Sequence, residues 1–183
     1  MKRAQGLFWI MILTLGIFFP AKGQNVTVTS SVGQNPNTLI NNVLAGEGVE
    51  LSNGKFNNST GNITYPQIGT FNRGTNTVFP FQSGIVMTTG NVSVAAGPNS
   101  GGSVSSAVSN YYTDSQLSSI ASSSVNGCAV LDFDFVAYAD TFSFNYVFGS
   151  EEYPEYVCSN FNDVFAFYLT GLDPVTYTTT TRN

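Results

Sequence analysis

Residues 142–169 read FSFNYVFGSEEYPEYVCSNFNDVFAFYL. Two runs in this stretch, Phe142/Phe144/Tyr146/Phe148 and Phe165/Phe167/Leu169, place an apolar residue at every second position. That is the period of a β-strand with one face buried and one face wet. Between the runs stand Glu151, Glu152, Glu155 and Asp163, so four of the chain's eleven acids fall in one connection. The expectation is two half-buried strands joined by an acidic connection over 149–163, with any functional site located there.

Outward from this stretch the chain reads as further strands. LDFDF at 131–135 alternates, with Leu131, Phe133 and Phe135 on one face and Asp132 and Asp134 on the other. GIVMTT at 84–89 predicts a buried strand, and NVTVTS at 25–30 a short strand or extended lead-in. VELS at 49–52 runs into Asn53-Gly54, the strongest short signal for a hairpin turn. Leu39, Ile40, Val43 and Leu44 recur at helical spacing, which predicts one short helix over 37–44 ending at Gly46 and Gly48. Asp114 is placed to cap a second, with Leu117, Ile120 and Ala121 facing inward. Residues 56–83 read as irregular strands and loops, and 95–126 as a long Gly/Ser-rich loop. With 15 Phe and 9 Tyr, many Val and Thr, and few helix formers, the class expected is mainly β: an antiparallel β-sandwich, jelly-roll-like, with one or two short helices.

The N-terminus carries Lys2 and Arg3, an apolar run over 7–19, then Ala21-Lys22-Gly23. This is the order of a secretory signal peptide. The apolar run is too short for the roughly 20 residues of a membrane-crossing helix, so cleavage before Gln24 and a secreted or cell-surface location are expected, with no transmembrane anchor. The division expected is 1–23 signal peptide, 24–36 lead-in, 37–175 β domain and 176–183 tail. The tail follows a turn at 170–174 and lacks an expected closing strand, and a sandwich with unpaired inner edges is disfavoured. The domain is therefore expected to be C-terminally incomplete.

Without the first 23 residues the chain keeps Lys55, Arg73 and Arg182 against eleven acids, a net charge of −8. That balance argues against nucleic acid or an anionic membrane surface as a partner, because such binding relies on cations neutralising phosphates. There is no histidine, which removes the usual general base and any Ser-His-Asp arrangement, and leaves Cys158 without a partner to activate it. In a secreted chain, Cys128 and Cys158 are a candidate disulfide.

Three readings of the acidic connection follow. Hard cations take six to eight oxygen ligands, and Glu151, Glu152, Glu155, Asn160, Asn162 and Asp163 supply such oxygens, though without EF-hand spacing. The candidate calcium set is Glu151, Glu152, Asn162 and Asp163, and Glu151, Glu152, Tyr153 and Glu155 are candidates for touching a ligand. A carboxylate pair acting on polysaccharide is the rival. Adjacent Glu151 and Glu152 point to opposite faces of an extended chain, so Glu152 with Asp163 or Asp132 is the sensible pair. The third reading is a solvated loop in a purely structural spacer.

The runs FNYVFGSEEYPEY at 144–156 and CSNFNDVF at 158–165 closely resemble the core signature of the bacterial choice-of-anchor L domain. The resemblance extends to LDFDF at 131–135, GIVMTTG at 84–90, GPN at 97–99, IGTFN at 68–72 and NVLAGEGV at 42–49. It thus covers the chain from near Asn37 to Asp173, and the glutamate-pair motif is specific. The resemblance implies an extracellular, β-rich module of large bacterial surface proteins, without an assigned activity and often beside Ig-like or adhesion repeats. Attachment in that family uses sortase signals, membrane tails or the type IX sorting domain of the Bacteroidota. This chain stops where members continue with further strands, and no catalytic residues carry over. The function expected is a non-catalytic extracellular or cell-surface binding and adhesion module, calcium-stabilised, with a surface glycan or protein as ligand.

Overall fold

The computed structural model describes residues 26–98, 101, 104, 106–121, 123–150, 156, 158, 163–173 and 175–183. The signal-peptide segment lies outside the described residues. Among the described residues seven strands form antiparallel ladders: β1 (Thr27–Ser30), β2 (Val49–Phe56), β3 (Ile68–Asn72), β4 (Ser83–Met87), β5 (Leu131–Ala137), β6 (Leu169–Leu172) and β7 (Thr179–Arg182). The ladders run β1-β3-β4, β2-β5 and β6-β7. Two short α-helices accompany them, α1 (Pro36–Val43) and α2 (Ser115–Ala121), with a 3-10 turn at Val92–Ala96. The mainly β, antiparallel class holds.

Helix α1 starts where the sequence prepares it. Asn35 caps the first turn by accepting from the Asn37 amide at 2.9 Å, and Pro36 occupies the first turn, where a missing N–H costs nothing. Leu39 and Ile40 are buried. Leu39 joins Phe56, Ile63 and Ile68 in the main core cluster, with Val43, Ile85, Ala129 and Leu131 packed around it. The core therefore lies between α1, the β2-β5 ladder and the Ile68 end of β3.

At Asn53-Gly54 the expected hairpin is absent. Strand β2 continues through both residues, and its register against β5 shifts between Ser52 and Lys55, a β-bulge. Asn53 takes up the left-handed conformation at φ 55° and donates through Nδ2 to Asp134 Oδ2 at 2.6 Å. Gly54 is required by close approach. A Cβ there would stand 2.8 Å from the Asn37 backbone and 2.9 Å from Ile40 Cδ1, and its N–H donates to Asn37 Oδ1 at 3.1 Å. The Asn-Gly pair has become the seat on which α1 rests.

The long Gly/Ser-rich segment is tied down by a buried amide pair. Gln67 is fully buried, and its Nε2 donates to Thr89 O at 3.0 Å and Gly127 O at 2.7 Å. Its Oε1 accepts from Asn110 Nδ2. Asn110, also buried, accepts from the Tyr112 amide at 2.9 Å, and the Cys128 amide donates to Tyr112 O at 3.0 Å. Segments near positions 67, 89, 110 and 127 are thus joined through two neutral side chains, as buried polar groups require.

Several expectations change. Asp114 does cap α2, accepting from the Gln116 and Leu117 amides at 2.9 Å each, yet α2 buries no residue and Ile120 is 42% exposed. Strand β4 is half-buried rather than buried. The threonine run that was expected to form an unpaired tail is largely β7, which pairs with β6 in the register Leu169↔Arg182 to Leu172↔Thr179. Arg182 closes the turn between them by donating to Asp173 Oδ2 at 2.8 Å.

Candidate functional site

The two aromatic runs meet, but not as the expected strands. No residue of 141–150 belongs to a strand, and the second run enters a ladder only at Leu169. Their rings nevertheless interleave antiparallel. Phe144 meets Phe167 at 4.5 Å, Tyr146 meets Phe167 at 5.1 Å and Phe165 at 5.7 Å, and Phe148 meets Phe165 at 5.4 Å. Phe142 packs on Phe135 of β5 at 4.5 Å, which joins the pair to the β2-β5 ladder. Tyr168 donates to Gln116 O at 3.2 Å and so reaches α2. The expected half-burial is not found: Phe144, Tyr146 and Phe148 are 54–58% exposed. The rings cover one another, and no described layer lies over them.

This pairing brings together the two ends of the acidic connection, because Phe148 precedes it and Phe165 follows it. Asp163 is exposed at the returning end. Tyr156 and Cys158 are exposed as well, with Cys158 in the left-handed conformation at φ 63°. Glu151, Glu152, Tyr153, Glu155 and Asn162 lie outside the described residues. Of the candidate calcium set only Asp163 is placed. Among the described residues no group of three or more His, Cys, Asp or Glu is arranged to hold a metal ion.

Cys128 and Cys158 are both free thiols, the first buried and the second exposed, so the expected bridge is not formed in this structure. Burial pushes the Cys128 thiol up, with the Asp114 charge adding to the effect and backbone hydrogen bonds opposing it. That keeps it protonated and inert. Asp132 stands opposite Lys55 across the β2-β5 ladder. Burial of its carboxyl raises its pKa, the Lys55 charge opposes this, and the Asp114 charge adds to it. The Tyr112 phenol is raised by burial and then by Asp114 and Asp132. Asp132 therefore holds its proton more readily than an ordinary carboxyl.

Gln67 and Asn110 escape a reading of the sequence because a single amide has no periodicity. Only the polar character of Gln67 next to the apolar Ile68 hints that its side chain turns inward to meet backbone groups.

No curated protein and no solved structure matches the chain. Residues 27–183, which include the aromatic pair and the acidic connection between its halves, match the family model of the Choice-of-anchor L domain, and the chain belongs to that family.

Proposed function

We propose that this chain is a non-catalytic, surface-associated binding module that contributes to adhesion, and that it meets its partner, a surface glycan or protein, through the acidic connection and its aromatic base. Membership of the choice-of-anchor L family supports the surface association. No helix among the described residues is long and apolar enough to cross a membrane. The observation that carries the reading is the exposed interleaved aromatic pair, which holds both ends of the connection at one place on the surface. Exposed aromatic side chains supply large contact area and are enriched where proteins meet partners.

Calcium is the cation this reading assigns to Glu151, Glu152, Asn162 and Asp163. Bound there, it would neutralise like charges and hold the connection in one conformation, since carboxylate and amide oxygens are the ligands it takes. A hydrolysis screen against neutral and acidic polysaccharides separates the reading from its enzymatic rival. The expected result is no turnover. Turnover that disappears in Glu152→Gln or Asp163→Asn would sink the non-catalytic reading.

A further inference from the structure

The face of the β1-β3-β4 sheet that meets α1 changes character along its length. On β3 the side chains of Ile68, Thr70 and Asn72 share one face, since alternate residues do. Ile68 is buried in the core, and Ile85, opposite Thr70 on β4, packs on the same cluster with Val43. Beyond that point the face turns polar. Thr29 lies opposite Thr70, and Thr27 and Ser83 lie on either side of Asn72.

Thr27, Thr29, Asn72 and Ser83 are exposed and Thr70 is half-buried, so beyond the core this face opens to solvent. The opposite face of the sheet has apolar residues as well. It carries Val28 and Phe71, and Phe71 packs edge-on against Phe79 at 5.3 Å.

Where α1 ends, Asn42 and Val43 stand across from these residues, and the space between is a groove of about 320 Å³. That volume lies at the small end of known ligand clefts, which run from about 300 to 1,000 Å³. Its lining contains no charged side chain and combines hydroxyls and amides with the apolar Val43 and Phe71, and Thr27, Thr29, Asn42, Asn72 and Ser83 are exposed to solvent. Hydroxyl and amide groups both donate and accept. They suit a ligand that is neutral and itself rich in hydroxyls.

We infer that this groove, bounded by the end of α1 and the Thr/Asn/Ser face of the β1-β3-β4 sheet, is a binding subsite for a neutral saccharide. The inference rests on the reading of the chain as a non-catalytic binding module and gives it a glycan-contacting surface distinct from the acidic connection. One or two sugar units fit the volume, with a longer chain running out past Asn42.

The test is calorimetric titration of the secreted chain with neutral hexasaccharides of glucose, mannose, xylose and N-acetylglucosamine. At least one is expected to bind with Kd below about 1 mM, a threshold equivalent to about −4 kcal/mol. In the Thr29→Val, Asn42→Ala double variant affinity is expected to fall about tenfold, as for the loss of one or two hydrogen bonds. Thermal melting of this variant should match wild type, because both positions are exposed or half-exposed and outside the core. Glu152→Gln should bind as wild type does. Absence of binding by all four sugars, or undiminished binding by the double variant, overturns the subsite. Binding lost in Glu152→Gln but kept in the double variant removes the groove and leaves the binding-module reading standing. Cleavage of a bound sugar would instead remove that reading.

Discussion

Replacing Gln67 by leucine is the sharpest perturbation of the fold. Leucine is close in size but has no hydrogen-bonding group, so the substitution deletes the donations to Thr89 O and Gly127 O and the acceptance from Asn110 Nδ2. Each such bond is worth about 0.5–1.5 kcal/mol net, and each buried group left without a partner costs about 1–3 kcal/mol. Asn110 keeps a longer contact to Cys128 O at 3.4 Å, so the loss expected is about 3–5 kcal/mol. Domains of this size are stable by only about 5–15 kcal/mol. Urea unfolding measures the change as a lowered midpoint at constant slope. The Gln67→Glu variant adds a directional control. Its carboxylate would face two carbonyl oxygens, so its pKa in the folded state rises. Stability is then present at low pH, where the acid is protonated and can donate one bond, and is lost as pH rises through the raised value. A Gln67→Leu loss below about 1 kcal/mol would refute the assignment of Gln67 as the joint between these segments.

Other substitutions test separate parts of the account. Gly54→Ala should cost about 1–3 kcal/mol by overpacking, because the added Cβ meets the α1 backbone at Asn37 as well as the Ile40 side chain; an unchanged urea midpoint would contradict the bulge geometry. Ser31 is fully buried and its Oγ lacks a partner, so Ser31→Ala should leave Tm unchanged or raise it, and a clear fall would show a missed hydrogen bond. Asp132 has a raised pKa, so its effect favours the fold below its ordinary titration range and fades as pH rises through the folded value. Asp132→Asn should flatten the acid side of the stability profile, and an unaltered profile would contradict the shift. In native thiol labelling Cys158 should react and Cys128 should react only on unfolding, whereas two unreactive thiols joined by mass would establish the disulfide.

Local signals were legible where local physics decides them. The spacing of Leu39, Ile40 and Val43 with the Asn35-Pro36 entry yields α1, and Asp114 caps α2 as its position before a helical pattern suggests. The same logic misreads Asn53-Gly54. The pair does adopt a left-handed residue, but the partner of β2 is β5, some eighty positions away, and a hairpin signal cannot register that pairing. The aromatic runs show the limit differently. Their alternation is real and orders the rings antiparallel, yet alternation says nothing about whether a third layer is present to bury them. Gln67, Asn110 and the polar groove depend on segments brought together by the fold, and neither composition nor period reports such meetings.

The claim most in need of measurement is that the acidic connection is a cation-stabilised contact rim. The direct test is calcium titration of the secreted chain by calorimetry, with thermal melts in parallel. A ligand that binds only the native state must raise Tm, by about 2.7 kcal/mol of stability at a hundredfold excess over Kd. The account predicts heat of binding and a raised Tm at millimolar calcium, both lost when Glu151, Glu152 and Asp163 are changed to their amides. Neither heat nor a shift in the unaltered chain would contradict it.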